Sequence, residues 1–275
     1  MSITAADVNK LRQITGAGMM DCKKALGESN GDFDLAIDIL RKKGQKVAAN
    51  RSDREAKEGV VIGKISSDGK TGILVALNCE TDFVAKNEDF RKVVETIVDV
   101  ALNKKAKTKE ELLAHSFAGN GLTIADKITE QVGKIGEKIE LSRFEVIEAG
   151  KVIAYNHPGN KLATIVGFNK ETKEEVTKDV AMQVAAMAPV AVDRGDVDPT
   201  MLQKEIEIAK ELLRNEGKPE DKIEMIAKGK IEKFYKESTL LNQEFIKDNK
   251  KTIAQYLKEN DGELRVTAFR RVALG

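Results

Sequence analysis

Apolar residues repeat at helical spacing through the first 44 positions. Val8, Leu11 and Ile14 share one face of a predicted helix. Thr4-Ala5-Ala6-Asp7 opens it as a capping box, in which Thr and Asp side chains satisfy each other's free backbone N–H groups. Gly16-Ala17-Gly18 breaks that helix and Met19 to Leu26 forms another. Asn30-Gly31-Asp32 then turns into a third, carrying Phe33, Ala36, Ile37 and Leu40 and stopped by Gly44. Three helices in so short a stretch bury little surface, so residues 1–44 read as a helical domain that is marginal alone. Residues 45–58 are charged, with little apolar patterning, and read as a linker with partial helix.

From Gly59 the period changes. Val60-Val61-Ile62 and Ile73-Leu74-Val75 flank Ser67-Asp68-Gly69-Lys70, a hairpin signal. Helical patterns follow at about 87–103, 108–117 and 123–134. A shift of 91 positions then aligns Val60–Thr81 with Lys151–Thr172 without a gap. Seven of the 22 positions are identical: Val61/Val152, Ile62/Ile153, Lys70/Lys161, Val75/Val166, Asn78/Asn169, Glu80/Glu171 and Thr81/Thr172. Both copies read strand, turn, strand, helix, which predicts a duplicated α+β unit. The chain divides into subdomains at 59–138 and 139–275, with Ile139–Val146 expected to enlarge the second sheet. In residues 198–236, Leu202, Ile206, Ala209 and Leu213 face Ile223, Ala227, Ile231 and Phe234 across Asn215-Glu216-Gly217-Lys218-Pro219. That is an antiparallel coiled-coil hairpin with one narrow seam. It is either a solvated projection or an arm for dimerisation or docking, and the residues leave both open. The tail reads as a helix at about 250–260 and a last strand, Leu264–Val272, expected as an extra strand for the second sheet.

The two copies part just after their shared Glu-Thr. The second continues Lys173-Glu174-Glu175, a natural solvated helix start. The first continues Asp82-Phe83-Val84. An apolar pair at a loop tip is either a staple folded onto its own helix or a wedge for a partner. Patterning alone favours the staple.

Charge narrows the function classes. Lys plus Arg (46) against Asp plus Glu (45) leaves +1, without the basic excess that a general nucleic-acid coat requires. Aromatics at 4%, with no Trp, supply no stacking platform for single strands. Hydrophobic residues at 41% are enough to fill a sizeable core. Two Cys (Cys22, Cys79) and two His (His115, His157) show no metal-site spacing, and two free thiols suit a reducing compartment. There is no secretory h-region, and the longest uncharged stretch, Val180–Val192, is too short to span a bilayer. The expectation is a cytoplasmic chain without membrane or direct nucleic-acid contact.

Catalytic signatures are missing. No phosphate-binding G-x-x-x-x-G-K-[ST] occurs, and Gly16-Ala17-Gly18 follows a helix rather than a strand. Asp193, Asp196 and Asp198 lack calcium-loop spacing. His157 stands in a turn without a Ser or Cys beside it, and Cys22 reads as a buried helical cysteine despite Lys23 and Lys24. The residues favour a binding protein over an enzyme, with no cofactor.

Two long strings point to a family. Leu11-Arg12-Gln13-Ile14-Thr15-Gly16-Ala17-Gly18-Met19-Met20-Asp21-Cys22-Lys23-Lys24-Ala25-Leu26 resembles the N-terminal signature of elongation factor Ts. Asn78-Cys79-Glu80-Thr81-Asp82-Phe83-Val84-Ala85-Lys86 resembles its second signature. Weaker matches run through Lys134-Ile135-Gly136-Glu137, the His157 turn, Gly217-Lys218-Pro219 and Phe245-Ile246. The resemblance implies a UBA-like three-helix domain, two related α+β subdomains and an inserted coiled-coil hairpin. It also implies a guanine-nucleotide exchange factor whose partner is elongation factor Tu, the GTPase that delivers aminoacyl-tRNA. The family's wedge falls on Thr81, Asp82, Phe83 and Val84, which reverses the staple reading, and its action is to dislocate Mg²⁺ from the GTPase. Met19, Met20 and Lys23 fall on its N-terminal contact, and Ile135, Gly136, His157 and Ile246 on the surface that its core presents. The alternative within this fold is a structural or ribosome-associated adaptor without exchange activity. The sequence departs from the family at Pro158-Gly159-Asn160-Lys161-Leu162-Ala163, where a Gly-rich turn is usual, and at Glu244, where Pro is common. No acidic helical tail follows Gly275, so docking by such a tail is not expected.

Overall fold

A computed structural model describes residues 3–118 and 121–275. In chain order the elements are α1 (Ala5–Thr15), α2 (Met19–Glu28), α3 (Phe33–Asn50), β1 (Glu58–Ile65), β2 (Thr71–Cys79), α4 (Asp82–Ala85), α5 (Glu88–Lys104), α6 (Lys109–Ala114), α7 (Ile124–Ile135) and β3 (Glu140–Glu148). There follow β4 (Lys151–Asn156), β5 (Leu162–Phe168), α8 (Glu174–Met187), α9 (Pro199–Asn215), α10 (Glu220–Ser238), β6 (Glu244–Phe245), β7 (Asp248–Thr252), α11 (Ile253–Asn260) and β8 (Val266–Ala273). The fold is α+β with antiparallel sheets.

The Thr4–Asp7 capping box opens α1, and Gly16, at φ 68°, closes it in the left-handed region. Val8, Leu11, Cys22, Ala25, Leu26 and Ala36 form the small core of the three helices. The third helix departs from expectation: α3 runs through Gly44 to Asn50, into the segment read as a linker. Gly44 does not end it, because Gly44 is the point where α3 crosses α7. A Cβ there would lie 2.8 Å from the Thr129 carbonyl oxygen, and one on Gly133 would lie 3.1 Å from the Gly44 Cα. Glycine serves close helix approach here rather than termination.

The offset-91 repeat is visible in the strand ladders. Val61 pairs with Ala76 and Ile62 with Val75, and at the same offset Val152 pairs with Gly167 and Ile153 with Val166. One expectation fails: β3 joins the first sheet, in the order β1-β2-β3, and β8 alone completes the second, in the order β4-β5-β8. Each unit therefore closes with its own third strand. Both third strands carry a bulge at the repeat-equivalent place, opposite Ala76/Leu77 in one and Gly167/Phe168 in the other. Only Ala149 and Gly150 separate β3 from β4, a spacing that reads as a hairpin although the chain there crosses from sheet to sheet.

The sheets stack face to face, with helices outside. Val60, Ile62, Ile73, Val75 and Leu77 point toward α5 and α7, while Val61, Leu74 and Ala76 meet Val152, Ala163, Ile165 and Val272 between the sheets. A sheet buried on both faces explains the unbroken apolar runs in β1 and β2. The contact is reciprocal. Val61 N–H donates to Asn160 O and Val152 N–H to Gly69 O, each at 2.7 Å, so the turn of either hairpin caps the outer strand of the other. The Asn156 amide also pairs with the N–H and C=O of Gly63, at 2.7 and 2.9 Å. The hairpin α9–α10 has the expected narrow seam of Ala209, Leu213, Ile223 and Ala227, with Gly217 at φ 72° in its turn.

Candidate functional site

The chain leaving β2 turns sharply into the single helical turn α4. Thr81 caps it, its Oγ1 accepting from Val84 N–H at 3.4 Å. Val84 and Ala85 turn inward and pack against the first subdomain's core. Phe83 does the opposite and is 82% exposed. The apolar pair is thus split: Val84 anchors, and Phe83 projects into solvent. A staple is ruled out for Phe83, and an aromatic held out this far on a capped turn is unusual for a soluble surface.

Asp82 accepts from Lys86 Nζ at 2.6 Å, one turn on, and that hydrogen bond holds its carboxyl below the usual range. Beneath the turn, two carboxylates fix the backbone. Glu137 Oε2 accepts from the N–H groups of Glu80 and Thr81, both at 3.0 Å, and Oε1 accepts from the Thr81 hydroxyl at 2.6 Å. Glu80 in turn accepts from Lys138 N–H at 2.6 Å and from Arg51 at 2.7 and 2.9 Å. Burial pushes the Glu80 carboxyl up, but the Lys138 N–H with Arg51 and Arg54 outweighs it, leaving the group below the usual range. Cys79, buried under the turn, donates to Thr81 O at 3.2 Å.

A groove runs beside Phe83, bounded by Thr81, Val84, Lys134, Ile135 and Glu137. It brings Ile135 to the Thr81–Val84 turn, and Gly136, at φ 78°, ends α7 at its rim. The N-terminal helices reach the same end of α7: a Cβ on Gly16 would lie 3.4 Å from Lys134 Cδ. Beyond Gly16, Met19 and Met20 open α2 at 53% and 74% exposure, and Lys23 is exposed one turn on. Asp21 pairs with Lys43 and ties α2 to α3. Both methionines are therefore surface, not core.

His157 and Ile246 lie outside this groove. The His157 ring takes a hydrogen bond with Tyr155 Oη at 3.0 Å in the turn between β4 and β5. Ile246 is half exposed and its N–H donates to Gln183 Oε1 at 2.9 Å. Their neighbours Tyr155 and Lys247 do line one groove, between β4 and α8. Sequence reasoning singles out Ile135 and Gly136 but passes over Glu137 and Glu80. A Glu beside a helix end is ordinary, and nothing local shows that it meets a turn 56 residues earlier.

Fold and site together define an α+β protein built on a duplicated three-stranded unit, with an exposed aromatic on a braced turn in one copy. Comparison with known proteins agrees in detail. A family model described as Elongation factor TS matches residues 80–275. The elongation factor Ts of Flavobacterium psychrophilum is 56% identical over 276 residues, covering 100% of this chain and 99% of that relative. That of Christiangramia forsetii is 54% identical over 275 residues, covering 99% of each. That of Cytophaga hutchinsonii is 53% identical over 276 residues, again covering 99% of each. The chain belongs to the elongation factor Ts family, and its role lies in translation elongation. No helix among the described residues is long and apolar enough to cross a membrane.

Proposed function

We propose that this chain binds elongation factor Tu carrying GDP, disturbs its Mg²⁺ and phosphate site, and promotes exchange of GDP for GTP. It acts by binding alone and makes or breaks no bond. The observation that carries this reading is Phe83, held away from its own core on a capped turn with Asp82 beside it. Phe83 supplies apolar burial in the complex, which favours the arrangement of the GTPase with its nucleotide site disturbed. Asp82 leaves Lys86 and acts on the same site. Met19, Met20 and Lys23 form the N-terminal contact, and Ile135, Gly136, His157 and Ile246 extend the surface over the core.

Linkage dictates the rest. A factor that binds the nucleotide-free GTPase best is itself weakened by nucleotide to the same extent, so exchange is accelerated in both directions. Burying a phenyl side chain contributes about 1.5–3 kcal/mol. Phe83→Ala is therefore expected to slow release of fluorescent GDP at saturating factor by about 10- to 100-fold. Its own stability should stay within about 0.5 kcal/mol, since the side chain stabilises nothing in the free fold. Wild-type release from the folded variant would overturn the wedge, whereas no acceleration of GDP release by the wild-type chain would overturn the exchange reading and favour an adaptor of the same fold.

A further inference from the structure

Phe83 receives little packing support from its surroundings, so where its ring stands depends on the backbone beneath it. That backbone is fixed at Glu80 and Thr81, two residues before the ring, and one carboxylate makes three of the hydrogen bonds there. Glu137 is itself held firmly. It follows Gly136, whose N–H closes α7 onto Val132 O at 2.8 Å, and the next residue, Lys138, returns its N–H to Glu80. The 136–138 and 80–81 segments are thus bonded to each other in both directions.

The second copy of the unit provides an internal comparison. At the positions equivalent to Glu80 and Thr81, the side chain of Glu171 is 65% exposed and pairs with Lys151. Helix α8 starts at Glu174 with no side-chain cap. Glu174 stands where the first copy has Phe83. Among the described residues, the carboxylate clamp occurs only in the copy that projects an aromatic. If the clamp served the strand-to-helix connection as such, both copies would need it.

We propose that Glu137 is a positioning residue for the wedge, holding the Glu80–Thr81 backbone so that Phe83 is presented in one orientation. This rests on the exchange reading given above. Preorganisation of this kind removes an ordering cost at the moment of insertion, and loss of alignment by about 1 Å is enough to slow a reaction by orders of magnitude. The effect is on the rate within the complex more than on its formation.

The test is stopped-flow GDP release from elongation factor Tu with the full-length chain and its variants. Glu137→Ala is expected to lower the maximal rate at saturating factor by about tenfold or more. Glu137→Gln keeps an acceptor for the two N–H groups and a partner for the Thr81 hydroxyl, and is expected to stay within about threefold of wild type. In the Phe83→Ala background, Glu137→Ala should add less than about twofold, because the two act as one unit. Amide exchange at Glu80 and Thr81 should quicken in Glu137→Ala. Glu137→Asp, which keeps the charge but draws the carboxylate back from the Glu80–Thr81 backbone, reads the same coupling should Glu137→Ala lose its fold. A wild-type maximal rate in Glu137→Ala, or a full additive loss in the Phe83→Ala background, would overturn the positioning role while leaving the wedge standing. Wild-type release from Phe83→Ala would overturn the wedge, and the positioning role with it.

Discussion

The crossing of α3 and α7 at glycine allows one substitution to be predicted with opposite signs at two places. Helix propensity alone says that Gly→Ala within a helix stabilises by about 1 kcal/mol. Gly229 lies inside α10 with nothing within 4 Å of a new Cβ, so Gly229→Ala is expected to realise that gain in the hairpin. Gly44 lies equally far inside α3, yet its new Cβ would meet the Thr129 carbonyl oxygen at 2.8 Å and Thr129 Cγ2 at 3.5 Å. The obstacle is backbone, which cannot swing aside, so the helices must separate. Overpacking of this kind costs about 1–3 kcal/mol, which cancels or exceeds the propensity gain and leaves Gly44→Ala about 0–2 kcal/mol less stable at the α3–α7 contact. Hydrogen exchange by peptide is the assay, because a single melting temperature averages over units that open separately. The Gly44→Ala protein should exchange faster in α1–α3 and α7, with α8 and α9–α10 unchanged, and Gly229→Ala should slow exchange in α9–α10 only. Slower exchange across α3 in Gly44→Ala would refute the reasoning, since propensity would then have outweighed contact.

Two further outcomes follow from the titratable groups beneath the turn and in the core of the N-terminal helices. Glu80 is held below its usual value of about 4.5, so its folded form binds fewer protons than its unfolded form, and its contribution is complete above that pH and lost as pH falls through the folded value. The stability difference between wild type and Glu80→Gln, followed by denaturant unfolding, should be constant from neutral pH to about 5 and shrink below 4.5; a difference that grows on acidification would contradict the Arg51 pairing. Burial pushes the Cys79 thiol up to about 12, with the Glu137 and Glu58 carboxylates adding to it, and burial raises Cys22 as well. Iodoacetamide at pH 8 should therefore label neither cysteine in the native chain and both in denaturant, read by mass spectrometry. Rapid native labelling of Cys79 would show that the turn opens.

Much of this architecture is legible in the amino-acid sequence, and where it is not, the reason is specific. The strand pairs of both units can be read because apolar triplets flank turn residues, and the repeat carries the register with it. Membership of β3 cannot, since which sheet a strand joins depends on closure of a whole unit and not on its own residues. Gly44 illustrates the same limit: a glycine at the end of an apolar stripe looks like a stop, and only the neighbouring helix shows it to be a contact. At the site, Phe83 is conspicuous because an aromatic stands where its repeat-mate is charged. Glu80, Arg51 and Glu137 are not, because charged residues are common and their pairing spans 29 residues in one case and 57 in another.

The reciprocal capping of the two hairpins has a consequence for self-association. An outer strand with free N–H and C=O groups is a template on which another chain can grow. Here the outward-facing donors of β1 at Val61 and Gly63, and that of β4 at Val152, are already occupied from within the same molecule. Separating the halves would bare both strands at once, together with the apolar face of Leu74, Ala76, Val152 and Ile165 between them. Either half expressed alone would present a sticky strand and a greasy face, and would find a second copy of itself. Each half therefore protects the other from aggregation, and the duplicated unit persists as an inseparable pair even though its two members now carry different tips.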